Sequence, residues 1–203
     1  MRQIIAGMFQ SLDGVVQAPG GPNEDESGGF AFGGWLVPHF SETTGAFIDE
    51  VFAGEFDLLL GRRTYDIFAA YWPKIENDPF ADKFNAAAKY VLTSSSEPLA
   101  WQNSHRLEDF AAVEALKRTD GPRLIVQGSS TIYPGLIENG LIDRLFLLTF
   151  PIILGSGKRA LPGAMPTAFK LLEHRVSESD VIIAVYEPAG AVRTGSFALE
   201  EQT

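Results

Sequence analysis

Apolar residues fall into short runs separated by polar, glycine-rich stretches, and the runs alternate between strand-like and helix-like spacing. Residues 2–9 read as a first strand, with Ile4 and Ile5 in a short apolar run, and Ser11-Leu12-Asp13-Gly14 is turn chemistry. Residues 17–34 are rich in Gly, Pro and acids and end near Phe30, Phe32 and Trp35, which predicts a long loop whose aromatic end packs on something. The spacing of Phe47, Val51 and Phe52 predicts a helix over 42–53. A buried strand is expected at 57–61 and a helix at 64–70, stopped near Pro73. A strand at 89–93 leads into Ser94-Ser95-Ser96. An amphipathic helix spans 109–118 and ends at Asp120-Gly121-Pro122. A strand at 124–127 enters Gly128-Ser129-Ser130, and a helix follows that ends at Asn139-Gly140. Residues 145–150, 169–176 and 181–186 read as three closing strands with antiparallel pairing, and 188–203 as a weakly periodic tail.

Strands alternate with helices up to residue 150, and strands alone follow. That order predicts a three-layer α/β domain over 1–187 with a mostly parallel sheet and an antiparallel C-terminal part. Ligands in such sheets bind beyond the carboxyl ends of the strands, so residues just after strands carry the interest.

Composition narrows the function. The chain has 203 residues, 45% of them hydrophobic, which suits one domain with a sizeable core. Sixteen basic against 26 acidic residues give a net charge of −10, which argues against general nucleic-acid binding but leaves room for one small cationic pocket. With no cysteine, disulfides, thiolate metal sites and a Cys nucleophile are excluded. The longest apolar run, 145–154, falls well short of the roughly 20 residues of a spanning helix, and no secretory segment opens the chain. A cytoplasmic protein with no membrane partner is expected. His39, His105 and His174 are widely separated, so no metal site is expected.

Several post-strand segments are candidates for chemistry. In Leu60-Gly61-Arg62-Arg63-Thr64-Tyr65 a strand ends at a glycine and two arginines open a helix, where amides and guanidinium groups can hold a phosphate. The plainer reading is a glycine turn with two surface arginines. Gln127-Gly128-Ser129-Ser130-Thr131 repeats the strand–glycine–helix arrangement, with hydroxyls able to donate to phosphate oxygens. No GxGxxG is present, and Gly155-Ser156-Gly157-Lys158 is not a P-loop, because Ile152 stands where its first Gly belongs and Arg159 follows the Lys. Asp13, directly after the first strand, is a candidate to orient or protonate a substrate, or else a plain turn aspartate. Phe30, Phe32 and Trp35 either stack on a planar heterocycle or pack as local core.

Taken together, Ser11-Leu12-Asp13-Gly14, Leu60-Gly61-Arg62-Arg63-Thr64-Tyr65, Tyr90-Val91-Leu92-Thr93-Ser94, Val126-Gln127-Gly128-Ser129-Ser130, Leu141-Ile142-Asp143-Arg144-Leu145 and the 151–157 segment resemble the dihydrofolate reductase superfamily. They are most similar to the branch of the riboflavin-biosynthesis reductase C-terminal domain, in a stand-alone form. The resemblance implies a dihydrofolate reductase-like three-layer fold and NADPH as hydride donor to a pterin-, pyrimidine- or flavin-like substrate. It implies Gly61, Arg62, Arg63 and Thr64 at the cofactor phosphates and Thr93 and Ser94 near the adenosine 2′-phosphate. Gly128, Ser129, Ser130 and Thr131 would hold the pyrophosphate and nicotinamide side, with a non-proline cis bond at Gly128–Ser129. It further implies Asp13 as the substrate-side polar residue, the aromatic loop as lid, and a homodimer. The deaminase zinc motif of the bifunctional riboflavin enzyme is absent. A non-catalytic nucleotide-binding sensor is the competing function.

Overall fold

A computed structural model of the chain describes residues 1–128 and 130–197. Its eight strands are β1 (Ile4–Ser11), β2 (Phe56–Gly61), β3 (Lys89–Leu92), β4 (Ser104–Leu107), β5 (Arg123–Gln127), β6 (Arg144–Phe150), β7 (Ala168–Val176) and β8 (Ile182–Gly190). They form one sheet in the order β4-β3-β2-β5-β1-β6-β8-β7. The first six are parallel to one another, while β8 runs antiparallel to both β6 and β7, as the three closing strands predict. The helices are α1 (Glu42–Val51), α2 (Arg62–Tyr71), α3 (Pro79–Ala86), α4 (Phe110–Lys117) and α5 (Tyr133–Glu138).

Period-2 alternation on β1 sorts the core. Ile4, Ala6 and Met8 face one side and pack with Leu124 and Val126 of β5 against Val113 of α4 and Tyr133 and Leu136 of α5. The opposite face carries Phe146, Leu148 and Phe150, covered by Trp35, Leu36 and Phe47, and further along Leu58, Leu60, Tyr65 and Phe84. Every residue of β2 is buried, which explains why its sequence reads as a continuous apolar run rather than an alternation. The phenyl ring of Phe146 lies over Gly7 so closely that a Cβ there would sit 1.8 Å from its Cζ. Gly7→Ala is therefore expected to cost about 3 kcal/mol or more by overpacking, read as a lowered denaturant midpoint.

The pattern missed two elements. One is α3, whose Pro79 occupies the first helical turn while Asp78 caps Phe80 and Ala81. β4, Ser-His-Arg-Leu, has no apolar alternation and forms because β3 offers it an edge. At the C-terminus β8 runs to Gly190, three residues into the segment read as tail. Residues 191–197 carry no helix or strand, and 198–203 lie outside the described residues. No helix among the described residues is long and apolar enough to cross a membrane.

Buried charge ties the N-terminus to the sheet. Arg2 forms a buried ion pair with Asp57 and donates through Nε to the Pro122 carbonyl (2.6 Å). Asp57 also accepts from the Ala88 amide (3.0 Å). Beside it Lys89 is fully buried, donating to the Asn85 carbonyl (2.7 Å) with its ammonium 4.1 Å above the Trp101 ring. Burial pushes Lys89 down to about 8, with Asp57 pulling the other way.

Candidate active site

Because β1 to β6 are mutually parallel, their carboxyl ends share one edge. The 11–14 turn, the start of α2, the 93–97 loop, the turn after Gln127 and the 151–159 segment all leave the sheet there. This is the edge on which the sequence places its candidate residues.

At one end of the edge, Gly61 caps α2 and Arg62 and Arg63 lie in its first turn. Arg62 Nε donates to both Asp66 carboxylate oxygens (2.9 and 3.0 Å), and its Nη1 donates to the Glu97 carbonyl (3.0 Å). Arg106, on β4, donates through Nη2 to the same carbonyl (2.8 Å). Its Nη1 is buried with no partner among the described residues. Two guanidinium groups thus converge on the loop that holds Ser94. Within that loop Thr93 Oγ1 accepts from the Ser95 amide (3.1 Å) and Ser95 Oγ from the Glu97 amide (3.2 Å), so those hydroxyls fix its shape. Ser94 is exposed at its tip. Sequence reasoning missed Arg106 because its strand was not recognised.

Next along the edge, Gly128 has φ +83°, and a Cβ there would stand 3.3 Å from the Thr64 methyl and 3.4 Å from its hydroxyl. Glycine therefore serves both the left-handed backbone and the close approach of Thr64. The preceding Gln127 buries its Oε1 with no partner among the described residues. Ser130 is half-buried and Thr131 exposed; Ser129 and the expected cis bond at Gly128–Ser129 lie outside the described residues. Tyr133, wholly buried, donates to the Gly7 and Val126 carbonyls and locks this turn to β1 and β5.

Asp13 is a clamp. It accepts from Ser11 Oγ (2.6 Å), the Leu154 amide (3.1 Å) and the Gly155 amide (2.9 Å), and pairs with Arg159 (3.3 Å). The bonds from Ser11 and Leu154, against a smaller effect of burial, lower its carboxyl to about 2. It is therefore ionised at neutral pH, which favours an orienting role for Asp13 over a protonating one.

The 17–34 loop crosses this edge. Trp35 is buried edge-on against Phe150 (5.3 Å between centroids) and donates through Nε1 to the Gln17 carbonyl (2.7 Å). Phe30 is also buried, and Phe32 packs edge-on against it (5.9 Å) with about half its surface exposed. Of the three aromatics expected to stack on a ligand, Trp35 is thus core, Phe30 is a wall and Phe32 is the exposed ring. A cleft of about 430 Å³ opens between the loop and the 156–158 turn, lined by Gln17, Ser27, Gly28, Phe30, Ser156, Gly157 and Lys158.

Asp25 latches the loop. Its carboxylate pairs with Arg63 on one side and Lys158 on the other, and it accepts from the Ser27 hydroxyl (2.6 Å) and amide (3.1 Å). Arg63, expected at the cofactor phosphates, is thus turned toward the loop. Gln17, also buried, donates to the Asp25 and Ser27 carbonyls (2.9 and 2.8 Å) and accepts from the Lys158 amide (3.1 Å). Burial raises the Asp25 carboxyl, but Lys158 and Ser27 outweigh it and hold it at about 2. A carboxyl depressed on folding stabilises above its unfolded value and loses that contribution as pH falls toward the folded one. The latch is therefore expected to hold at pH 4 and open near pH 2. Pepsin cleavage within 17–34 at pH 2 but not at pH 4, with an unfolded substrate as control, checks this.

A family model described as the RibD C-terminal domain matches residues 2–183. The chain belongs to that family. An uncharacterized protein of Bacillus subtilis strain 168, YyaP, is 26% identical over 196 residues, covering 91% of this chain and 94% of its own. Three solved structures share the RibD-like fold. A putative riboflavin biosynthesis protein from Shewanella sp. PV-4 superposes with a TM-score of 0.66 at 15% identity, over 92% of this chain and 99% of that one. Enterococcus faecalis dihydrofolate reductase complexed with NADP(H) gives 0.58 at 14%, over 92% and 96%. The Thermotoga maritima diaminohydroxyphosphoribosylaminopyrimidine deaminase/5-amino-6-(5-phosphoribosylamino)uracil reductase gives 0.61 at 15%, over 93% of this chain and 57% of that longer protein. The family is thus that of the RibD C-terminal domain, and the fold is one shared with RibD-like proteins and a dihydrofolate reductase.

Proposed function

We propose that this RibD-family protein is an NADPH-dependent reductase of a small pyrimidine-, pterin- or flavin-like heterocycle. The observation that carries the reading is the convergence of Arg62 and Arg106 on the Ser94 loop, with a buried Arg106 nitrogen that has no partner among the described residues. An unpaired buried charged donor is costly, and a ligand phosphate oxygen is the partner that would relieve it. NADPH when bound supplies the hydride. The chain's own residues bind, orient and exclude water. Arg62, Arg106, Thr93 and Ser94 would hold the 2′-phosphate, and Gly61, Thr64, Gly128, Ser129, Ser130 and Thr131 the pyrophosphate and nicotinamide side. The substrate would enter the cleft beside Phe30 and Phe32, under the loop that Asp25 latches. Asp13 is a positioning residue in this reading, fixing the 11–14 turn to the 154–155 backbone.

A homodimer fits the outer strand, where Leu171, Leu172 and Val176 of β7 and Ile182 of β8 are exposed; sedimentation velocity reads the mass. A fluorescence titration with NADPH and NADH in parallel, followed by a heterocycle panel with NADPH oxidation as readout, tests the activity. Tight NADPH binding with oxidation supports a reductase. NADPH binding with no oxidation across the panel supports a nucleotide sensor, and equal weak binding of both nucleotides removes the cofactor assignment.

A further inference from the structure

Apart from Arg106, the cations named at the carboxyl edge are matched by the chain's own acids. Arg62 faces Asp66, Arg159 faces Asp13, and both Arg63 and Lys158 face Asp25. The last pairing differs in kind. Arg63 stands at the start of α2 and Lys158 follows β6, so the two cations reach toward each other across the ends of β5 and β1. A single carboxylate fills the space between them. Its side chain is 8% exposed, although it belongs to a surface loop. Ser27 donates to it from the loop side and Gln17 fixes the Asp25 and Ser27 backbone carbonyls, so the anion is positioned before any ligand arrives. Lys158 is also a wall of the 430 Å³ cleft, whose remaining lining is uncharged.

Two cations converging on one anion form the arrangement a phosphate group requires. Here the chain supplies the anion itself. A tethered carboxylate competes with a free ligand at high effective concentration, so a phosphate must displace it to be held.

We propose that Asp25 is a specificity-determining residue: by occupying the Arg63–Lys158 pair it denies the cleft a phosphate site and selects substrates without a phosphate group. The inference rests on the reading of the cleft as the substrate site. It sets this chain apart from a reductase whose substrate carries a ribose phosphate, and points to a dephosphorylated heterocycle.

Calorimetric titration with ribose 5-phosphate, and with inorganic phosphate as a second titrant, tests it without any reaction. The wild-type protein is expected to bind ribose 5-phosphate at least tenfold more weakly than Asp25→Asn, which keeps the shape and removes the charge. Asp25→Asn with Lys158→Met is expected to lose that gain. Comparable gains for both titrants mean that the phosphate group alone is read, as the proposal requires. Asp25→Ser, with near-ultraviolet circular dichroism to follow the packing of Trp35, guards against loop collapse in the first variant. Wild-type binding as tight as that of Asp25→Asn overturns the proposal, as does the absence of gain in both variants with the Trp35 signal intact. An NADPH titration of the same proteins separates the two readings. If NADPH fails to bind while Asp25→Asn gains the sugar phosphate, the reductase assignment falls and the charge assignment stands.

Discussion

Asp57→Ala is expected to lower the melting temperature by about 10 °C. Arg2 is almost wholly buried and, among the described residues, its guanidinium is neutralised through Asp57, with Pro122 and Tyr90 oxygens as further partners. Removing one partner of such a pair leaves an uncompensated buried charge, which costs about 3–5 kcal/mol. The same carboxylate also accepts from the Ala88 amide at the entry to β3 and offsets the burial of Lys89. Its loss therefore exposes three neighbours at once. Arg2→Met in the same background is expected to recover much of the loss, because it removes the orphaned charge while keeping the volume. Thermal unfolding of the two single variants and the double variant closes the cycle. Additive losses would show that Arg2 and Asp57 do not depend on each other.

That pair also shows where the sequence was legible. The apolar runs of β1, β2, β5 and β6 identified the parallel sheet, since strands covered on both faces leave a strong local signal. Glycines at the ends of β2 and β5 marked the turns proposed above for ligand binding, and Gly128 does adopt a positive φ. What stayed hidden depends on long-range partners. Nothing near Arg2 in sequence announces its partner, since Asp57 lies 55 positions away. Asp25 sits in an acidic loop indistinguishable from solvent-facing charge, and only the fold brings Arg63 and Lys158 to it. Arg106 lies in a strand too polar to recognise, although β3 was plain. Trp35 shows how the two readings of an aromatic loop divide. Aromatic clustering in a loop signals packing as readily as ligand stacking, and here Phe150 claims Trp35.

Arg106→Met is expected to weaken NADPH binding by about 10–100-fold while leaving NADH within about threefold, since a charge-assisted hydrogen bond contributes about 1.5–3 kcal/mol. The two nucleotides differ by the 2′-phosphate, so a loss confined to NADPH locates the contact on that group. Stability should move the other way. The Arg106 Nη1 is buried without a partner among the described residues, and a thioether of similar length removes that desolvated charge. Glu97 keeps a donor to its carbonyl, because Arg62 reaches the same oxygen at 3.0 Å. The melting temperature is therefore expected to hold or rise as NADPH affinity falls, the trade expected of a residue kept for binding rather than folding. Arg62→Ala should share the NADPH loss without the stability gain, since Arg62 is well partnered by Asp66. If Arg106→Met instead melts earlier and binds NADPH as tightly as before, Arg106 is a structural strut and the 2′-phosphate site must be sought elsewhere on this edge.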